Sequence, residues 1–328
     1  MKRAVVFLCL SLAGCQCGPG TVTINPGRDG GSSGGGSTGG GSTGGGSGGS
    51  GGGATGGGAT GGGGVDAGLD CVPPDVLIAL DRTLTMHRMA DGTTPADTVA
   101  GHALSKWSMA ITAIEELTTA PLDQSVRFGL ELWPREAPGC VTLAQRIGGT
   151  NGTNTACEGP EIPIQPALGT GAAISSLLDP ETTKICFSTP TGDALLGAGA
   201  FLQTHRSADA GQFVVLVTDG ADWDVSCPSP NPLGVVDGLR DSGIDTLVVG
   251  FSAEMSLQNG VGAAFLNDMA CAGHTAKNFA TTCAANDAGV YRALVTDGGA
   301  LFYTATNASE LVTTLRDFTR TVCCGCIN

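Results

Sequence analysis

Three stretches of the chain are apolar without interruption. Val76-Leu77-Ile78-Ala79-Leu80 runs into Asp81, Phe213-Val214-Val215-Leu216-Val217 runs into Thr218-Asp219-Gly220, and Thr246-Leu247-Val248-Val249-Gly250-Phe251 is the third. A strand apolar on both faces belongs in the middle of a parallel sheet covered by helices on each side. Residues 127–132 alternate more and are expected nearer an edge; residues 301–305 are expected to form the final strand. Between these runs the apolar spacing becomes helical. Trp107, Ala110, Ile111, Ile114 and Leu117 make one stripe, and Leu195, Gly199 and Leu202 a shorter one. Phe265 and Met269 share a face, with Gly273 as the expected stop. In the last helix Asn307 is the expected cap, Glu310 takes the capping-box position, and Leu311, Leu315, Phe318 and Val322 form the apolar face. Alternating strands and helices predict an α/β fold, a doubly wound and mostly parallel sheet with helices on both faces.

The first 64 residues are of another kind. Lys2-Arg3 precede a short apolar core at Ala4 to Leu10, too short to span a bilayer, and Leu12-Ala13-Gly14-Cys15 follows. Small residues before a cysteine are similar to a bacterial lipobox. The expectation is a signal peptide over residues 1–14 and lipidation of Cys15, which becomes the mature N-terminus. No other apolar run approaches about 18 residues, so the lipid would be the membrane anchor, held by several acyl chains. Gln16 after the cysteine resembles outer-membrane sorting. The reading is an exported protein, lipid-anchored in a bacterial envelope. Residues 15–64 hold about half of the 54 glycines, in Ser-Thr-Gly-Gly-Gly and Ala-Thr-Gly-Gly-Gly repeats. Such a segment buries no apolar area and is expected to be a disordered tether with a reach of roughly 35–40 Å. Its many G-x-G-x-x-G windows lack the flanking strand and helix that a phosphate site needs. Residues 65–328 remain for one large domain.

Charge and cysteine narrow the function. The formal net charge is −14, and no basic run follows Lys2-Arg3, which argues against nucleic acid as a partner. Thirteen cysteines fit an oxidising compartment, and ten of them, an even number, lie beyond the tether. Sequence does not fix their pairing. His87, His102, His205 and His274 show no metal-ligand spacing, and most of them read as surface or capping residues. There is no nucleotide P-loop, and no G-x-S-x-G elbow lies beyond the glycine-rich tether.

In a doubly wound sheet, ligands bind beyond the carboxyl ends of the strands where strand order reverses. Asp81 and Asp219 end the two strongest strands. Asp81-Arg82-Thr83-Leu84-Thr85-Met86, Thr189-Pro190-Thr191-Gly192-Asp193-Ala194-Leu195 and Leu216-Val217-Thr218-Asp219-Gly220 come in that order. Together they resemble the three segments of the metal-ion-dependent adhesion site of a von Willebrand factor type A domain, and the resemblance extends over residues 75–322. It implies that Thr83 and Thr85 coordinate a cation through their hydroxyls. Thr189 joins them in one state and recedes in another, while Asp81 and Asp219 act mostly through water. The open position takes a carboxylate of a partner. The donor set agrees independently: two carboxylates and hydroxyls, without a soft ligand, suit Mg²⁺, with Mn²⁺ or Ca²⁺ as substitutes. The family's usual motif has serines, often with glycine between them; Thr83-Leu84-Thr85 departs from it, and Leu84 does not easily take a positive φ. Asp222 and Asp224 read as a solvated loop beside the site.

Several type A domains close their ends with a disulfide, so the resemblance implies Cys71 pairing with Cys323 or Cys324. Cys271 with Cys283 is expected to pin the insertion before the final strand. The implied function is a surface binding module whose partner is a protein presenting an acidic side chain. The alternative is a metal-independent structural or envelope-assembly module on the same fold, with Leu84 as the feature favouring it. An enzyme is not expected, because the sequence positions no general base or nucleophile beside the metal ligands.

Overall fold

The computed structural model describes residues 72–96, 98–150, 152, 159–179, 182–206, 210–220, 229–251, 261–294, 300–304 and 308–322. Cys15, the glycine-rich segment, Asp222, Asp224 and the expected Cys71 pair all lie outside these residues.

A six-stranded sheet organises the molecule, in the order β3-β2-β1-β4-β5-β8. Its strands are β1 (Asp75–Asp81), β2 (Arg127–Trp133), β3 (Glu161–Ala167), β4 (Gln212–Thr218), β5 (Ile244–Gly250) and β8 (Tyr303–Thr304). All neighbours are parallel except β2 and β3. The three continuous apolar runs are β1, β4 and β5, and every residue of β1 and β4 is buried. Two further strands, β6 (Cys283–Ala285) and β7 (Tyr291–Ala293), form a separate antiparallel pair.

Alternation along β1 divides the core in two. Val76, Ile78 and Leu80 face α1 (Lys106–Leu117), α2 (Gly171–Leu177) and α6 (Ala308–Val322). Leu77 and Ala79 face α3 (Thr191–Thr204), α4 (Pro232–Asp241) and α5 (Val261–Ala272). The fold is thus a mostly parallel sheet with helices on both faces, as the strand–helix alternation predicts. The whole Trp107-to-Leu117 stripe is buried on α1. On α6, Leu315 and Phe318 are buried together with Val312; the Asn307 cap and the side chains of Leu311 and Val322 lie outside the described residues. No helix among the described residues is long and apolar enough to cross a membrane.

Two expectations gain detail and one needs correction. The more alternating strand, β2, lies one strand in from the edge, nearer it than β1 and β4, and β3 covers it, antiparallel and with register shifts. Pro163 and Pro166 fit such an edge, where missing N–H groups break no inner ladder. Gly273 directly follows α5 as the expected stop, and the left-handed residue after it is His274, at φ 59°. Glycine is needed at 273 for space, since a Cβ there would lie 2.6 Å from the Thr246 carbonyl oxygen. Lastly, His87 and His102 are buried, not superficial, and the His87 ring stacks on Trp107.

Cys271 bonds to Cys283, tying α5 to β6. Cys140 bonds to Cys186, a pair that sequence alone did not single out.

Candidate metal centre

β1 and β4 lie side by side, and from them the chain winds outward in opposite directions, through β2 and β3 on one side and β5 and β8 on the other. The crevice beyond their carboxyl ends is therefore the topological switch point of the sheet. Asp81 is the last residue of β1 and Asp219 the first after β4. Both are buried.

Each Asp81 carboxylate oxygen has its own donor. Oδ1 accepts from the Thr83 amide at 2.8 Å and Oδ2 from the Thr218 hydroxyl at 2.7 Å. Burial, and then repulsion from Asp219, push the Asp81 carboxyl up to about 7, against these hydrogen bonds. Past Asp81 the chain turns into a short 3-10 helix over Leu84–His87, with the Met86 amide donating to the Thr83 carbonyl at 3.1 Å. Positive φ among described residues other than glycine occurs at His274 and Asn278 only. Leu84 thus needs no left-handed conformation, and the obstacle its side chain posed in sequence does not arise.

This turn brings two hydroxyls together: Thr83 Oγ1 and Thr85 Oγ1 are 3.0 Å apart. Thr85 in turn donates to Asp219 Oδ1 at 3.0 Å. Octahedral bonds of 2.0–2.1 Å place neighbouring ligand oxygens about 2.9 Å apart, so both separations fit the edges of a small hard ion's shell. Among the described residues no group of three or more His, Cys, Asp and Glu side chains gathers to hold a metal. A centre here therefore rests on two carboxylates and hydroxyls, a donor set for a hard cation.

Thr189 lies on the neighbouring loop and is half-buried. That loop is joined to the first by backbone: Thr83 forms a parallel bridge with Cys186, whose amide donates to the Arg82 carbonyl at 3.0 Å. The Cys140–Cys186 disulfide anchors the same point. On the far side of Thr189, the start of α3 presses against the loop before α4. A Cβ at Gly192 would lie 1.9 Å from the Pro230 carbonyl oxygen, and the Asp193 amide donates to the Ser229 hydroxyl at 3.1 Å. The Thr189 loop is held at both ends, although among the described residues no hydrogen bond joins its hydroxyl to the other four groups.

Two cations reach this region that the sequence reading did not assign. Arg82 is buried, pairs with Glu161 at 2.9 Å and donates through Nε to the Pro134 carbonyl at 2.6 Å. It fastens the end of β1 to β2 and β3. Lys106, the first residue of α1, is wholly buried, and its ammonium donates to Asp219 Oδ2. Burial pulls the Lys106 ammonium down, while Asp219 and then Asp81 hold it up. Its sequence signal was slight: a lysine between the Ser105 cap and the buried Trp107.

No curated protein matches the sequence. Similar solved structures include an aerotolerance-related membrane protein from Bacteroides fragilis NCTC 9343, bearing mutations to serine. It is 17% identical, with 54% of this chain and 67% of that chain covered and a TM-score of 0.35. Proximal thread matrix protein 1 from the mussel byssus is 15% identical, with coverages of 77% and 48% and a TM-score of 0.45. The manganese-loaded TRAP protein of Plasmodium vivax is 14% identical, with coverages of 54% and 57% and a TM-score of 0.34. This chain thus spans about half of each of the last two. Residues 180–288 match the family model of the von Willebrand factor type A domain, a stretch that contains Thr189 and Asp219. That match falls on a doubly wound sheet of this topology, and residues 180–288 are similar to a von Willebrand factor type A domain.

Proposed function

We propose that this domain binds an acidic group of a protein partner through a divalent cation, Mg²⁺ before Mn²⁺ or Ca²⁺, at Asp81, Thr83, Thr85, Thr189 and Asp219. The observation that carries the reading is the pair of 3.0 Å oxygen separations linking Thr83, Thr85 and Asp219 beside a second buried carboxylate. The hydroxyls of Thr83 and Thr85 with Asp219 would hold the ion, Asp81 would add charge from behind, and Thr189 would approach from its loop. A bound ion of this kind offers an open position to a carboxylate, which gives an acidic chain a local site for an acidic ligand. Among the described residues both buried carboxylates are engaged by protein donors that position them, which favours binding over turnover.

The same reading places the domain in a bacterial envelope, probing for its partner from a lipid on Cys15 at the end of the glycine-rich tether of residues 15–64. Support for this comes from the Leu12-Ala13-Gly14-Cys15 sequence and its basic, apolar leader.

A metal-independent module on the same fold is the second reading. One observation favours it: both carboxylates already have protein donors, including the ammonium of Lys106. Calorimetric titration of Mg²⁺ into the full chain and its Asp219→Ala variant separates the two readings.

A further inference from the structure

The chain between Thr85 and α1 makes an excursion that returns to where it began. Met89 bridges Ser105 in antiparallel fashion, and the Lys106 amide donates to the Arg88 carbonyl at 2.9 Å. Ser105 then caps α1, accepting from the Ser108 amide at 3.2 Å. A residue far along the sequence from Thr85 is thereby set beside it. The side chain of Lys106 runs inward, fully buried, to Asp219.

Asp219 is shared between two claims. Its Oδ1 accepts from the Thr85 hydroxyl, one of the proposed metal ligands, and its Oδ2 accepts from the Lys106 ammonium. A lysine this buried is retained only when its charge is met, and Asp219 meets it. We propose that Lys106 is a built-in cation of the metal centre, which competes with the divalent ion for Asp219 and sets how tightly that ion binds. The proposal rests on the cation-binding reading above and extends it to how the site is regulated.

The physical argument is one of charge and place. Asp81 and Asp219 alone would present two negative charges to an entering ion; the ammonium cancels one of them and repels a dication at close range. Without metal, the ammonium spares Asp219 the cost of an unmatched buried charge. With metal, the ammonium must withdraw from Oδ2 or remain as a like charge beside the ion. Either course weakens binding relative to a site with a neutral side chain at 106. It also gives the domain a stable metal-free state, so that the ion regulates partner binding without being required for folding.

The experiment compares the full chain, purified in detergent, with its Lys106→Met and Lys106→Gln variants. Mg²⁺ is titrated by calorimetry after chelator treatment, and melting temperature is read with and without Mg²⁺. Both variants are expected to bind Mg²⁺ at least about tenfold more tightly than the parent. They should melt lower than the parent in chelator and regain more of that loss when Mg²⁺ is added. Equal Mg²⁺ affinity in all three proteins overturns the competition and leaves the metal reading standing. Absence of saturable binding in all three overturns both. Variants that stay unfolded even in Mg²⁺ show Lys106 to be a structural pin, and that too overturns the proposal.

Discussion

Removal of the Cys140–Cys186 disulfide should cost stability and metal affinity together. The bond joins the segment after β2 to the backbone beside Thr83, closing a loop of 46 residues. Loop-closure entropy for that length stabilises the fold by about 4 kcal/mol. The Cys271–Cys283 bond spans 12 residues, for which the same relation gives about 3 kcal/mol. The two differ far more in location than in energy. Cys186 stands three residues before Thr189 and donates its amide to the Arg82 carbonyl, whereas Cys283 begins the separate β6–β7 pair. The Cys140→Ser/Cys186→Ser protein should therefore lose about 4 kcal/mol in urea unfolding. It should also bind Mg²⁺ roughly fivefold more weakly, if re-ordering a single loop residue costs about 1 kcal/mol. The Cys271→Ser/Cys283→Ser protein should lose about 3 kcal/mol with its Mg²⁺ affinity unchanged. Equal weakening of Mg²⁺ binding by both pairs would refute the claim that the first disulfide positions the Thr189 loop.

Glu131 should make the fold weaken as pH rises. It lies on β2 opposite Ala79, fully buried, with no hydrogen-bond partner for either carboxylate oxygen, and burial raises its carboxyl well above the ordinary glutamate range. The folded state then holds a proton that the unfolded chain releases near pH 4.3, so stability declines as pH climbs from there toward the folded value. Glu131→Gln should flatten that decline and gain roughly 1–3 kcal/mol at pH 8, read by chemical unfolding across pH 5 to 8; an unchanged slope would refute the assignment. For the anchor, the N-terminal peptide of the cell-extracted protein should carry a lipid on Cys15, and Cys15→Ser should leave the protein unlipidated; an unmodified Cys15 in the parent protein would sink that expectation.

The parts of this molecule that follow from local pattern were legible in sequence. β1, β4 and β5 announce themselves because both faces are covered, and α1 because its stripe repeats at helical spacing. β3 was not legible: Glu161-Ile162-Pro163-Ile164-Gln165-Pro166-Ala167 carries two prolines and alternates partly buried with exposed residues, none fully buried, which an edge strand tolerates and an inner one does not. At the candidate centre, Asp81, Thr83, Thr85 and Asp219 were singled out because short motifs keep such groups close in sequence or at strand ends. Lys106 escaped because a lysine at the start of a helix ordinarily faces water. Only the closed excursion between Met89 and Ser105 turns it inward. His87 and His102 were misread as superficial for the same reason, since that excursion and Trp107 enclose them.

Titration of Mg²⁺ into the chelator-treated full chain, beside Asp219→Ala, tests the central claim most directly. The account predicts saturable binding that raises the melting temperature of the parent and is lost in the variant. Saturable binding that survives in Asp219→Ala, or no binding to the parent protein, would contradict it.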